Sequence, residues 1–97
     1  MEPAATYRMK GRVVLRRIGE DRLLVPVSGG VARENCVFPI NETGEFIWNG
    51  LVAGKTLDQI AQAVAAEFSV PPGTALEDCG TLAAELAGHG LLERGPG

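Results

Sequence analysis

The run Cys36-Val37-Phe38-Pro39-Ile40-Asn41-Glu42-Thr43-Gly44-Glu45-Phe46-Ile47-Trp48 is where the chain changes its periodicity. Upstream, apolar residues come in short β-branched bursts; downstream, they recur at helical spacing. Asn41 stands on the boundary as a predicted N-cap, its side-chain oxygen placed to accept an amide one turn on. Glu42 and Glu45 follow in the first turn, where carboxylates favour the positive end of a helix. Gly44, Ile47, Trp48 and Leu51 then fall at i, i+3, i+4 and i+7, one stripe of a short helix that Gly54 is suited to close. Gly44 costs about 1 kcal/mol against Ala inside a helix, so a close neighbour is expected there.

Upstream, Arg12 to Ile18 alternates imperfectly, with Val13, Leu15 and less regularly Ile18 toward one side. Gly19-Glu20-Asp21 is a turn signal, and Arg22 to Val27 resumes an extended pattern, so the pair predicts a β-hairpin. Pro26 belongs at a strand end or edge because it has no amide to donate. After the flexible break Ser28-Gly29-Gly30, residues 35–40 predict a third strand, with Phe38 and Ile40 on one face and Val37 and Pro39 on the other. Pro39 implies that one side of this strand is not fully paired within the chain. Residues 1–11 carry no periodicity and are expected to be a flexible tail.

Downstream, Thr56-Leu57-Asp58-Gln59 is a capping box, followed by Leu57, Ile60, Ala61, Val64 and Phe68 at helical spacing. Pro71-Pro72 marks a tight connector. Thr74 and Glu77 suggest a second capping box, opening a helix whose apolar positions Leu76, Cys79, Leu82, Ala83 and Leu86 make a face wider than one packing surface needs. Gly88 and Gly90 stop it, and Leu91-Leu92-Glu93 is a short extended end. The expected fold is α+β and winged helix-turn-helix-like: a three-stranded antiparallel sheet followed by a three-helix bundle, in one domain over residues 12–94.

The chain has 97 residues and a formal net charge of −3, unevenly spread: residues 1–40 carry +3 and residues 41–97 carry −6. Winged helices often bind DNA, but the helix expected to read a groove carries Glu77, Asp78 and Glu85 and neither Lys nor Arg. DNA is bound largely by neutralising phosphates, so nucleic acid is not an expected partner. No apolar run nears the length of a membrane span, and no signal-peptide h-region opens the chain; the expected setting is the cytoplasm. Cys36 and Cys79 fit neither a metal site nor a C-x-x-C redox pair and read as reduced thiols in packed positions. The single His89 suits a helix C-terminus, and no third group orients it toward Cys36 as a nucleophile–base pair would need. Neither catalytic residues, nor a metal site, nor a cofactor is expected. Trp48 reads as core. What remains is recognition of a peptide: a short sheet with an open strand beside an apolar helix face is a ready site for strand addition. A covered edge, or a second copy of the chain pairing there as a homodimer, is the plainer alternative.

At Phe38-Pro39-Ile40-Asn41-Glu42-Thr43-Gly44-Glu45-Phe46-Ile47-Trp48, then Gly54-Lys55-Thr56-Leu57 with Ile60-Ala61, and at the Gly90-Leu91-Leu92 end, the sequence resembles the PqqD family, named for a protein of pyrroloquinoline quinone biosynthesis. The resemblance spans about residues 12–94, with Ile40 where the family usually has Leu. It implies a RiPP recognition element: a non-enzymatic peptide chaperone that takes the leader of a ribosomally made precursor as an added strand and presents it to a modifying enzyme, often a radical SAM protein. Carried onto this chain, one wall of the groove would be Asn35, Cys36, Val37, Phe38 and Pro39. The other would be Asp78, Cys79, Leu82, Glu85 and Leu86. A winged-helix regulator acting on DNA or through protein contacts is the runner-up.

Overall fold

A computed structural model describes residues 3–27 and 37–95. The element order is β1 (Tyr7–Met9), β2 (Val13–Ile18), β3 (Asp21–Pro26), β4 (Phe38–Ile40), α1 (Glu42–Val52), α2 (Leu57–Phe68), α3 (Pro72–Gly88) and β5 (Leu92–Arg94). The strands β2, β3 and β4 form a three-stranded antiparallel sheet in that order, as expected; α1 meets it at β4, and the three helices pack on one another, α2 on both α1 and α3. A second, two-stranded sheet joins β1 to β5.

The hairpin closes where the turn signal predicts. Ile18 pairs with Asp21, leaving Gly19-Glu20 as a two-residue loop, and Gly19 takes the positive φ of +62° that such a turn needs at its first central position. Alternation then sorts the faces. Val13 and Leu24 point to the core and are buried, whereas Val14 and Ile18 face outward. Ile18 is therefore not on the side of Val13 and Leu15: an even offset from Val13 is required, and Arg17 takes that place.

Residues 3–9 depart from the flexible tail expected of them. Tyr7–Met9 pairs with Leu92–Arg94, Arg8 meets its cross-strand neighbour Glu93 at 2.6 Å, and Ala5 is buried. The carbonyls of Pro3 and Ala5 accept the amides of Asp58 and Leu57, two of the orphan donors at the start of α2. The Thr56–Gln59 capping box satisfies the others as expected. In α3 the expectation was wrong in detail. Thr74 and Glu77 form no capping box, because the helix starts a turn earlier at Pro72, whose fixed φ suits a first helical position.

The core runs from Leu24 of the sheet through Ile47, Trp48 and Leu51 of α1, Leu57, Ile60 and Val64 of α2, and Ala75, Cys79, Ala83 and Leu86 of α3. Leu91 and Leu92 close its far side. Phe46 and Phe68 stack edge-to-face at 5.5 Å and join α1 to the end of α2. Among the described residues no helix is long and apolar enough to cross a membrane.

Candidate functional site: a cleft between the edge strand and the last helix

The junction at Asn41 turns the chain from β4 into α1 almost without a loop. Asn41 is extended (φ −98°) and its Oδ1 accepts the Gly44 amide at 2.7 Å, the cap read from the sequence. A Cβ built on Gly44 would lie 3.0 Å from Ile40 Cβ and 3.2 Å from Asn41 Oδ1. Glycine there lets the first turn of α1 fold tightly against the end of β4. What packs close is the preceding strand residue itself.

A second contact locks this turn to the hairpin. Arg17 and Arg22 are directly opposed across β2 and β3 on the core-facing side, where like charges repel. Glu45 of α1 lies between them. Its Oε1 accepts Arg22 Nε at 2.6 Å and its Oε2 accepts Arg17 Nη2, while Glu42 stands 4.0 Å from Arg22. Glu45 is 9% exposed and is the one buried charged side chain among the described residues. The bond from Arg17, supported by that from Arg22, holds its carboxyl below the usual carboxylate range against the opposing cost of burial. The acids of the back half thus include one that is structural.

Beyond this anchor, β4 and α3 diverge to leave an open cleft of about 480 Å³. Phe38, Pro39 and Ile40 line one side, Asp78, Leu82 and Glu85 the other, and Asn41, Thr43, Gly44 and Ile47 the remainder. Phe38 is braced from behind by His89, edge-to-face at 5.3 Å, and His89 is the C-cap residue of α3 as its position suggested.

β4 is the last strand of its sheet among the described residues. The ladder alternation shows what its free edge offers. Val27 N donates to Arg12 O at 2.8 Å, so residues 21, 23 and 25 bond toward β2 and residues 22 and 24 toward β4. Ile40 and Phe38 consequently bond inward to Arg22 and Leu24, while Pro39 sits in a non-bonded pair with Leu23. The missing amide of Pro39 leaves no gap in the sheet, and its carbonyl points to the open edge.

Of the residues predicted for this site, Phe38, Pro39, Asp78, Leu82 and Glu85 converge on the cleft. Val37 is exposed just before β4 and outside the lining. Asn35 and Cys36 lie outside the described residues. Cys79 and Leu86 are not wall residues: both have no exposed surface and belong to the core stripe of α3 with Ala75 and Ala83. The cleft stripe is 78, 82 and 85, rotated from the core stripe by roughly one residue's 100°. Burial also pushes the Cys79 thiol up to about 11, which keeps it protonated and inert. Ile40, Asn41, Thr43, Gly44 and Ile47 were missed as lining. The periodicity of Ile40, Gly44 and Ile47 already pointed inward, and the inward side is shared by core and cleft.

Comparison with known proteins follows the same outline. The family model described as Coenzyme PQQ synthesis protein D (PqqD) matches residues 24–92. The structure of TbiB1 in complex with the TbiA(beta) leader peptide is 29% identical, with a TM-score of 0.69 over 89% of this chain and 94% of that one. The solution structure of the PqqD truncation of Methylobacterium extorquens PqqCD, a functional and stand-alone RiPP recognition element, is 27% identical, with a TM-score of 0.71 over 97% of this chain and 100% of that one. Lasso peptide synthetase B1 complexed with its leader peptide shares the fold at 20% identity, with a TM-score of 0.74 over 90% of this chain and 96% of that one. No curated protein matches the sequence.

Proposed function

The chain belongs to the PqqD family, and on that premise we propose that it is a non-catalytic recognition element that binds the leader of a ribosomally made precursor peptide by strand addition and presents it to a modifying enzyme. The observation that carries this reading is the free edge of β4 facing Leu82 of α3 across the cleft. An extended guest would gain main-chain hydrogen bonds from the edge and bury apolar side chains against Phe38, Ile40 and Leu82. The structural relatives that hold leader peptides support it. The modifying enzyme is expected to be of the radical SAM class, as the family resemblance implies, and the setting to be the cytoplasm, where such precursors are made.

Presentation needs a second surface. Val14, Ile18, Val27 and Val37 are the exposed large hydrophobics among the described residues; strand alternation puts Val14 and Ile18 on the outer face of the three-stranded sheet, and Val27 and Val37 directly follow β3 and precede β4. An enzyme seated there would stand beside a strand added to the same sheet.

The test is titration of the isotopically labelled protein with a leader peptide encoded beside its gene. Amide shifts are expected in residues 37–43 and 78–85, and Leu82→Asp should weaken binding by more than about tenfold while leaving the melting curve near that of the parent. Shifts confined to other elements, or none at saturating peptide, would overturn the reading.

A further inference from the structure

Charge is distributed unequally across the cleft. The β4 wall is Phe38, Pro39 and Ile40, without a charged group; the α3 wall carries Asp78 and Glu85 on either side of Leu82. Both carboxylates are exposed, and neither has a hydrogen-bonding or ion-pair partner among the described residues. Arg17 and Arg22, on the same sheet as β4, are held by Glu45. An acidic wall with an apolar centre is thus left for whatever enters.

Spacing turns this into a pattern. At 1.5 Å rise per residue, Leu82 is about 6 Å along the helix from Asp78 and about 4.5 Å from Glu85. Side chains on one face of an extended strand recur about every 6.7 Å. Three alternate residues of a guest strand therefore meet Asp78, Leu82 and Glu85 in turn, with the flexible stems of Lys or Arg absorbing the difference of one to two ångströms. Resting on the reading of the cleft as a strand acceptor, we propose that it selects leader peptides in which an apolar residue is flanked at the second position on each side by Lys or Arg. Apolar burial supplies the anchor; the charges set register and exclude acidic segments.

Three synthetic peptides of one length and backbone sequence, with cores Lys-x-Leu-x-Arg, Gln-x-Leu-x-Gln and Glu-x-Leu-x-Glu, test this by fluorescence anisotropy at 0.05 M salt. The cationic peptide should bind about tenfold tighter than the neutral one and about a hundredfold tighter than the acidic one, the gaps narrowing at 0.5 M. The variant D78K/E85K should reverse the order. The variant E67K/E77K changes net charge equally away from the cleft and should keep the parent's order; reversal there would mean bulk attraction and overturn the proposal. Equal affinity for the three peptides, with amide shifts still at 37–43 and 78–85, would remove charge selection and leave strand addition standing. No shift from any peptide would remove both. Undiminished affinity of a cationic peptide N-methylated along its bonding edge would show that strand addition plays no part, and would overturn the register argument with it.

Discussion

The sheet meets the helices along two seams that treat acidic side chains in opposite ways. At the hairpin end, Glu45 is buried between Arg17 and Arg22, and these three charges answer one another within the chain. At the β4 end, Asp78 and Glu85 face an open cleft and are answered by nothing among the described residues. The same chemical group serves as a rivet in one place and as a probe in the other. The difference lies in where the cations were put: on the core-facing side of β2 and β3, and nowhere on α3.

The comparison is most easily broken at the closed seam. Glu45→Ala should cost about 3 kcal/mol, because it leaves two opposed guanidinium groups facing each other over a partly buried gap; urea denaturation would measure it. A loss below about 0.5 kcal/mol would place Glu45 with ordinary surface ion pairs. The pH dependence sharpens the point. The Glu45 carboxyl is held below its ordinary value in the folded state, so its contribution is fully present above the unfolded carboxylate range near pH 4.3 and is lost as pH falls through the lowered folded value. Melting temperature should fall on that acid limb, and Glu45→Gln, which removes the titrating carboxyl, should flatten it. The smallest effect belongs to the open seam. Asp78→Asn with Glu85→Gln should change stability by no more than about 0.5 kcal/mol, since no internal partner is lost.

Much of this was legible in the sequence because its signals are local. The Asn41 cap, the Thr56–Gln59 box and the stripes of α1 and α2 each declare themselves within a turn or two, and the structure places them where they were read. The walls of the cleft were half legible. Periodicity says that Leu82, Cys79 and Leu86 are all inward, but a rotation of about 100° separates cleft from core, and only the position of β4 decides between them. What escaped was long-range. Tyr7–Met9 is too short for alternation to show, and its partner lies some 85 residues away, as the Arg8–Glu93 pair shows. The carboxylates nearest Arg17 and Arg22 in sequence are Glu20 and Asp21, yet the one that answers them, Glu45, comes 28 and 23 residues later.

The pairing of β1 with β5 has a practical side. The Gly95 amide bonds to the Thr6 carbonyl at 2.8 Å, so the two ends of the described fold leave it together. They do so near Gly80, Thr81 and Ala84, the side of α3 turned away from Asp78, Leu82 and Glu85. The module can therefore be plugged in at one pole like a cartridge. It could be spliced into another protein's loop, or circularly permuted through a short bridge, with its receptive flank still facing outward.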